Sequence, residues 1–317
     1  MSRPSRQIPL FPDTAAPTLR EVADAVATAG IDGLPSARRL ADEARYQEIR
    51  ARSALTHVEG MPFRWALNPY RGCTHACEYC YARKYQWHLE LGAGDDFSSV
   101  ILVKANLPAV LARELARPGW TRDTVAIGTA TDPYQPIEGH YKLTRRAIEI
   151  LAEARTPFHI VTKGPLVVRD RDVLAAASRV VKCSVCVSVP SVDEDAWARL
   201  EPGTAPPLQR LRAVRQLTDA GIEAGVLMMP LVPGITTSRT IIERTLRAIA
   251  DAGARFVGTN VARLDQGARQ HFFAFLEREY PALVEGYTRL YERGTAPPGY
   301  VREITGLVRA TADRLGL

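Results

Sequence analysis

The sequence predicts an α/β protein: an incomplete (β/α)6 TIM-like barrel with an N-terminal helical extension and C-terminal helices. Three observations support this. Apolar, β-rich runs recur at residues 100–104, 124–129, 158–163, 180–189, 224–230 and 256–261, with helical patterns between them. The runs are near-continuously apolar, as strands of a parallel sheet buried on both faces are. Six of them suit an incomplete barrel better than an eight-fold one.

Taken in order, residues 1–17 are proline-rich and are expected to be mobile. Thr18–Leu19–Arg20–Glu21 forms a capping box, opening a helix that Gly30 stops. Residues 36–50 carry a strongly charged pattern that reads as a second helix. Helices are expected at 107–116, 143–154, 173–177, 207–220, 239–252 and 269–280, and the tail 282–317 reads as helical with a turn at Pro297–Pro298–Gly299. The chain thus divides into an extension (1–60), a core (61–265) and a C-terminal helical region (266–317).

With 317 residues, 46% of them hydrophobic, the chain can bury a large core. A net charge of +6 permits an anionic substrate without requiring one, and no clustered basic stripe interleaved with aromatics marks a nucleic-acid surface. No apolar run is long enough to cross a membrane, and the start is too polar for a secretory signal. The cysteines are grouped as for a metal, not scattered as for disulfides, so a reducing cytoplasm is expected.

The most informative stretch is Asn68–Arg83. Three of the five cysteines, Cys73, Cys77 and Cys80, fall within eight residues as C-x3-C-x2-C. Three thiolates on one loop can hold three irons of a [4Fe–4S] cube, leaving the fourth iron open. Structural zinc wants four ligands; His75 is too cramped between Cys73 and Cys77 to complete a tetrahedron, and five thiols would compete if Cys183 and Cys186 joined. A redox pair of Cys77 and Cys80 would leave Cys73 idle.

Functional residues of such barrels sit at the carboxyl ends of strands. That rule selects Thr131–Asp132–Pro133, whose aspartate either accepts from a ligand or simply forms a turn. It also selects Lys163, a point charge for a carboxylate or an ordinary solvated lysine, and Ser188. Alternation puts Cys183 and Cys186 on opposite faces of one strand, with Cys186 about 7 Å below Ser188. Both read as core residues. Met228 and Met229 read as packing or as neighbours of an adenine, and His271 as packing. Phosphate loops, dinucleotide fingerprints, H-E-x-x-H and G-x-S-x-G elbows are all missing.

The segments 68–83, 128–138, 161–169, 188–202 and 221–234 together resemble the spore photoproduct lyase-like branch of the radical SAM superfamily. The resemblance covers residues 63–234 well and the first sixty hardly at all. It implies that Cys73, Cys77 and Cys80 bind the cluster and that S-adenosylmethionine chelates the open iron. Reductive cleavage would then give a 5′-deoxyadenosyl radical that abstracts hydrogen from a substrate. By position, Thr131, Asp132, Lys163 and Ser188 would hold the cofactor, with Lys163 on its carboxylate and Tyr79 near its adenine. Tyr79 and Tyr81 match tyrosines proposed to relay the radical. One departure stands out: the lyase's hydrogen-returning cysteine is replaced by Thr129, whose O–H bond is too strong for that task, so dimer repair is not expected. A flavodoxin or ferredoxin would supply the electron, and the substrate, nucleic acid or modified peptide, is open. The competing expectation is a non-catalytic iron–sulfur or zinc protein that uses the same fold to bind nucleic acid.

Overall fold

A computed structural model of the chain describes residues 17–29, 37–38, 43–89 and 94–317. The expectation of a mobile start lies, but for Pro17, outside the described residues. The expected capping box is present: Glu21 N–H donates to Thr18 Oγ1 (3.4 Å), and Thr18 N–H donates back to Glu21 Oε2 (2.5 Å), at the head of the helix Leu19–Ala29.

Eleven strands form two sheets among the described residues: β1 (Ala37–Arg38), β2 (Arg45–Ile49), β3 (Leu55–His57), β4 (Trp65–Leu67), β5 (Tyr70–Arg71), β6 (Val100–Lys104), β7 (Val125–Ile127), β8 (Phe158–Thr162), β9 (Cys183–Ser188), β10 (Ala224–Leu231) and β11 (Val257–Val261). The larger sheet has the order β11-β10-β9-β8-β7-β4-β3. All its neighbours pair in parallel except the β3–β4 edge hairpin. The helices expected between the runs are present; 143–154, for instance, is the helix Leu143–Glu153.

Three expectations are corrected. Residues 100–104 do not open the main sheet. β6 lies instead in the second sheet, order β1-β2-β6-β5, and β4 takes its place beside β7. The sequence VILVK is buried along both faces, so its apolarity suits either sheet. Within the supposed helix at 36–50, the described residues form the strand pair β1–β2. β2 packs Ile49 against Val22 on one side and Tyr46 against Tyr70 and Ile101 on the other. Burial of both faces erases the alternation that would have marked a strand. At the other end, Pro298 and Gly299 begin the helix Pro298–Leu315, with Pro297 as its cap, and form no separate turn.

Register divides the main sheet into two faces. Leu67, Val125, Ile127, Phe158, Ile160, Val185, Val187 and Val226 join the helices in the largest core cluster. The opposite face carries smaller or polar side chains, with Ala66 beside Ala126 and Val161 beside Cys186 and Gly225. Alternation carries this face up to Lys163 and Ser188 at the carboxyl ends of β8 and β9. At the end of β7, Gly128 has φ +89°, and a Cβ there would sit 2.4 Å from Val161 O. Glycine is therefore required where the chain turns into the 129–138 loop.

Candidate active site

The cysteine loop leaves β5 and is gripped from two sides. On one, Thr131 Oγ1 donates to Gly72 O (2.6 Å) and Thr74 N–H donates to Gln135 Oε1 (3.2 Å). On the other, Glu78 N–H donates to Leu200 O (3.0 Å) and Gly203 N–H to His75 O (3.1 Å). Arg83, 2% exposed, reaches back beneath the loop and donates to Cys77 O, Ala76 O and Gly94 O at 2.8–3.2 Å. These bonds fix the backbone without using sulfur. Gly203 packs so closely that a Cβ would lie 2.2 Å from Thr74 O. Gly203→Ala is therefore expected to cost at least about 2 kcal/mol of stability in urea unfolding; an unchanged midpoint would show that the two loops yield freely.

Cys73 and Cys77 are buried and Cys80 is half-buried, all as free thiols. Burial raises all three pKa values, with Cys77 pushed up to about 12 even though Lys163 opposes the shift. The thiols lie near enough to one another to disfavour joint ionisation, which a cation would relieve. Among the described residues no three His, Cys, Asp or Glu side chains converge on a single-ion position. A cube asks for less convergence, since each thiolate meets its own iron. The soft three-sulfur donor set fits that group.

Asp132 lies beside the loop and is fully engaged. Oδ1 accepts from Tyr134 N–H (2.8 Å) and Thr162 Oγ1 (2.6 Å); Oδ2 accepts from Lys163 N–H (2.6 Å) and sits 3.2 Å from His75 Nδ1. Burial alone would raise its pKa, but His75 and these donors outweigh it and hold the carboxyl at about 2. Because the folded value lies below the unfolded one, the stabilisation is complete above about pH 4 and is lost as pH falls toward 2. Asp132→Asn turns one acceptor into a donor facing N–H groups and leaves His75 unpaired. A loss of about 3 kcal/mol is expected in urea unfolding near neutral pH, and a loss under about 1 kcal/mol would mean the cluster of bonds is dispensable.

Lys163 Nζ donates to Ser188 Oγ (3.0 Å), lies 3.7 Å from Glu201 Oε1 and sits 5.6 Å from the centre of the Tyr79 ring. Burial opposes its charge, but Cys77 and Glu201 outweigh burial and raise its pKa. Ser188 Oγ in turn donates to Met229 O (3.1 Å), tying β9 to β10. Tyr79 is buried, its hydroxyl on Glu201. Tyr81 is 44% exposed, its hydroxyl on the carbonyl of Thr129. Cys73, Cys77, Cys80, Tyr79, Thr131, Asp132, Lys163 and Ser188 thus gather around the carboxyl ends of β7–β9, with Tyr81 at the rim. Cys183 joins the helix-covered core, whereas Cys186 lies on the opposite face below Ser188, its pKa pushed up to about 11 by burial.

Glu201, Arg210, His75 and Arg83 were not singled out as functional by sequence. His271 is more than packing: its Nε2 pairs with Glu78 Oε2 at 2.6 Å, and Lys84 Nζ pairs with Asp265 at 2.5 Å, so the helix Gln266–Glu279 braces the cysteine segment. Met228 is core and Met229 half-buried on the other face.

At the carboxyl rim of a parallel sheet covered by helices, the loop that follows β5 carries three free thiols, a soft donor set. The chain belongs to the radical SAM superfamily, whose profile it matches over residues 67–241. An uncharacterised protein of Mycobacterium tuberculosis is 41% identical over 82% of this chain and 77% of its own length. One from Methanocaldococcus jannaschii is 25% identical over 83% and 92%. Among solved structures, a spore photoproduct lyase double mutant with bound AdoMet and dinucleoside spore photoproduct superposes with TM-score 0.67 at 16% identity, covering 93% of this chain and 91% of that one. A single mutant of the lyase gives 0.66 at 18% identity over 95% and 92%. At these identities the likeness is one of fold.

Proposed function

We propose that this protein is a radical S-adenosylmethionine enzyme in which Cys73, Cys77 and Cys80 hold a [4Fe–4S] cluster. The observation that carries the reading is Lys163, a largely buried ammonium within the field of the Cys77 thiol and hydrogen-bonded by a single side chain. When bound and reduced, the cluster and S-adenosylmethionine supply a 5′-deoxyadenosyl radical for hydrogen abstraction.

Everything else is the work of the chain. Lys163 would pair with the cofactor's carboxylate, and Ser188 and Thr131, the latter fixed on Gly72 O, would help hold the cofactor. Asp132 acts through position: by holding Thr162 and the Lys163 backbone it sets where the ammonium points. Tyr79 lies beneath Lys163, and its contact with adenine and its part in radical relay are read from position in the motif. Tyr81, clasped to Thr129, occupies the rim on the substrate side. The sheet is read as an open six-stranded barrel, the chain as an extension (1–60), core (61–265) and helical tail (266–317).

A reductant of flavodoxin or ferredoxin type and a substrate complete the system. Nucleic acid is the first substrate class to try, because the lyase with this fold was solved with a bound dinucleoside spore photoproduct. No helix among the described residues is long and apolar enough to cross a membrane, and we place the enzyme in the cytoplasm. The test is anaerobic reconstitution with iron and sulfide, then S-adenosylmethionine with and without dithionite. Methionine and 5′-deoxyadenosine that form only with reductant support the reading. Stoichiometric zinc, or a cluster that leaves the cofactor intact, replaces it with a binding protein.

A further inference from the structure

Behind Lys163 lies a second charged pair, fully enclosed. Arg210 is 0% exposed and Glu201 3%. Glu201 Oε2 accepts from Arg210 Nη2 (2.5 Å), and Oε1 accepts from the Tyr79 hydroxyl. Arg210 Nη1 donates to Ser188 O (2.8 Å), at the strand end that presents the Ser188 hydroxyl to Lys163. Glu201 therefore has a hydrogen-bond donor on each oxygen and stands off from Lys163 at 3.7 Å, beyond hydrogen-bond length. An ammonium carries three donors. Lys163 Nζ places one of them, on Ser188. Two cations and one carboxylate leave this enclosed group one positive charge in excess.

We infer that Arg210 and Glu201 are positioning residues that keep Lys163 available to an incoming carboxylate. Arg210 occupies Glu201, so that Glu201 steadies Lys163 from a distance without capturing it. This rests on the reading of Lys163 as the cofactor's carboxylate partner. Without Arg210, Glu201 has one free oxygen and, among the described residues, Lys163 as its remaining ion-pair partner. The lysine then closes the 3.7 Å gap, the excess charge disappears, and the cofactor must compete with an internal carboxylate for its own partner. Without Glu201, the excess grows and nothing competes.

A double-mutant cycle tests this on the reconstituted chain, with the dissociation constant of S-adenosylmethionine measured by equilibrium dialysis under anaerobic conditions. Arg210→Met is expected to weaken binding at least about ten-fold, Glu201→Gln to tighten it, and the double variant to return to within about three-fold of wild type. The electron paramagnetic resonance change that S-adenosylmethionine causes in the reduced cluster should follow the same order. A structural pair gives the opposite pattern, since the double variant then binds no better than Arg210→Met. That result, or unchanged binding in Arg210→Met, overturns the inference. If Arg210→Met does not fold, Glu201→Gln decides alone, with weaker binding counting against us. Failure of the wild type to assemble a cluster or bind the cofactor is a separate outcome and removes the functional reading itself.

Discussion

Replacing Cys77 with alanine is expected to abolish cluster assembly and, with it, all reductive cleavage of S-adenosylmethionine. The variant should fold. The loop around residue 77 is held by Arg83 on the carbonyls of Ala76 and Cys77, by Glu78 N–H on Leu200 O and by Gly203 N–H on His75 O, none of which involves sulfur. Deleting one buried sulfur costs on the order of 1–2 kcal/mol, small beside the stability of a chain this size. The chemical loss is total, because a cube with one open iron has no thiolate to spare. Iron content should drop from about four per chain to below one, while circular dichroism of the apo protein stays as in wild type. Cys73→Ala and Cys80→Ala should behave alike. Cys183→Ala and Cys186→Ala should keep the cluster, since Cys183 faces the helix-covered core and Cys186 lies down the β9 strand from Ser188. Cofactor cleavage that survives in Cys77→Ala would sink the assignment of this loop.

The parts of the site that were legible in the sequence obey short-range rules. Spacing alone gathers Cys73, Cys77 and Cys80, because eight residues cannot spread far. The ends of β7, β8 and β9 bring Thr131, Asp132, Lys163 and Ser188 together because parallel strands deliver their carboxyl ends to one rim. What was missed is long-range or two-sided. β6 is apolar on both faces and so fits two sheets, and β2 is buried on both faces and so hides its period. Glu201 ends a helix before Pro202–Gly203, where an acidic residue reads as surface, and Arg210 sits among the arginines of an otherwise ordinary amphipathic helix. Only their meeting, nine residues apart and against Tyr79 at a separation of 122, makes either of them meaningful. Asp132 was legible as a site residue, but its full set of donors was not, since they come from His75, Thr162 and the backbone of Lys163 and Tyr134.

Lys163→Met should raise the dissociation constant of S-adenosylmethionine about a hundred-fold and leave the cluster in place. Methionine keeps the stem of the lysine and its packing against Tyr79 while removing the charge. Loss of one partner of a buried, hydrogen-bonded charge pair costs about 3 kcal/mol, which corresponds to the stated factor. The apo chain should lose only about 1 kcal/mol, because Lys163 Nζ makes a single side-chain hydrogen bond, to Ser188, and stands 3.7 Å from Glu201, beyond hydrogen-bond length. Glu201 keeps Arg210 and the Tyr79 hydroxyl, so it is not left unpaired. The split between affinity and stability is the diagnostic feature. A lysine that merely stitched β8 to β9 through Ser188 would show the reverse, a lower unfolding midpoint with unchanged cofactor binding. Equilibrium dialysis and urea unfolding on the same preparation separate the two. Lys163→Arg sharpens the result: its charge is retained, but its planar fork cannot occupy the space of an ammonium between Ser188 Oγ at 3.0 Å and Glu201 Oε1 at 3.7 Å. Binding intermediate between wild type and Lys163→Met would show that the site selects a compact charge at that point as well as a positive one.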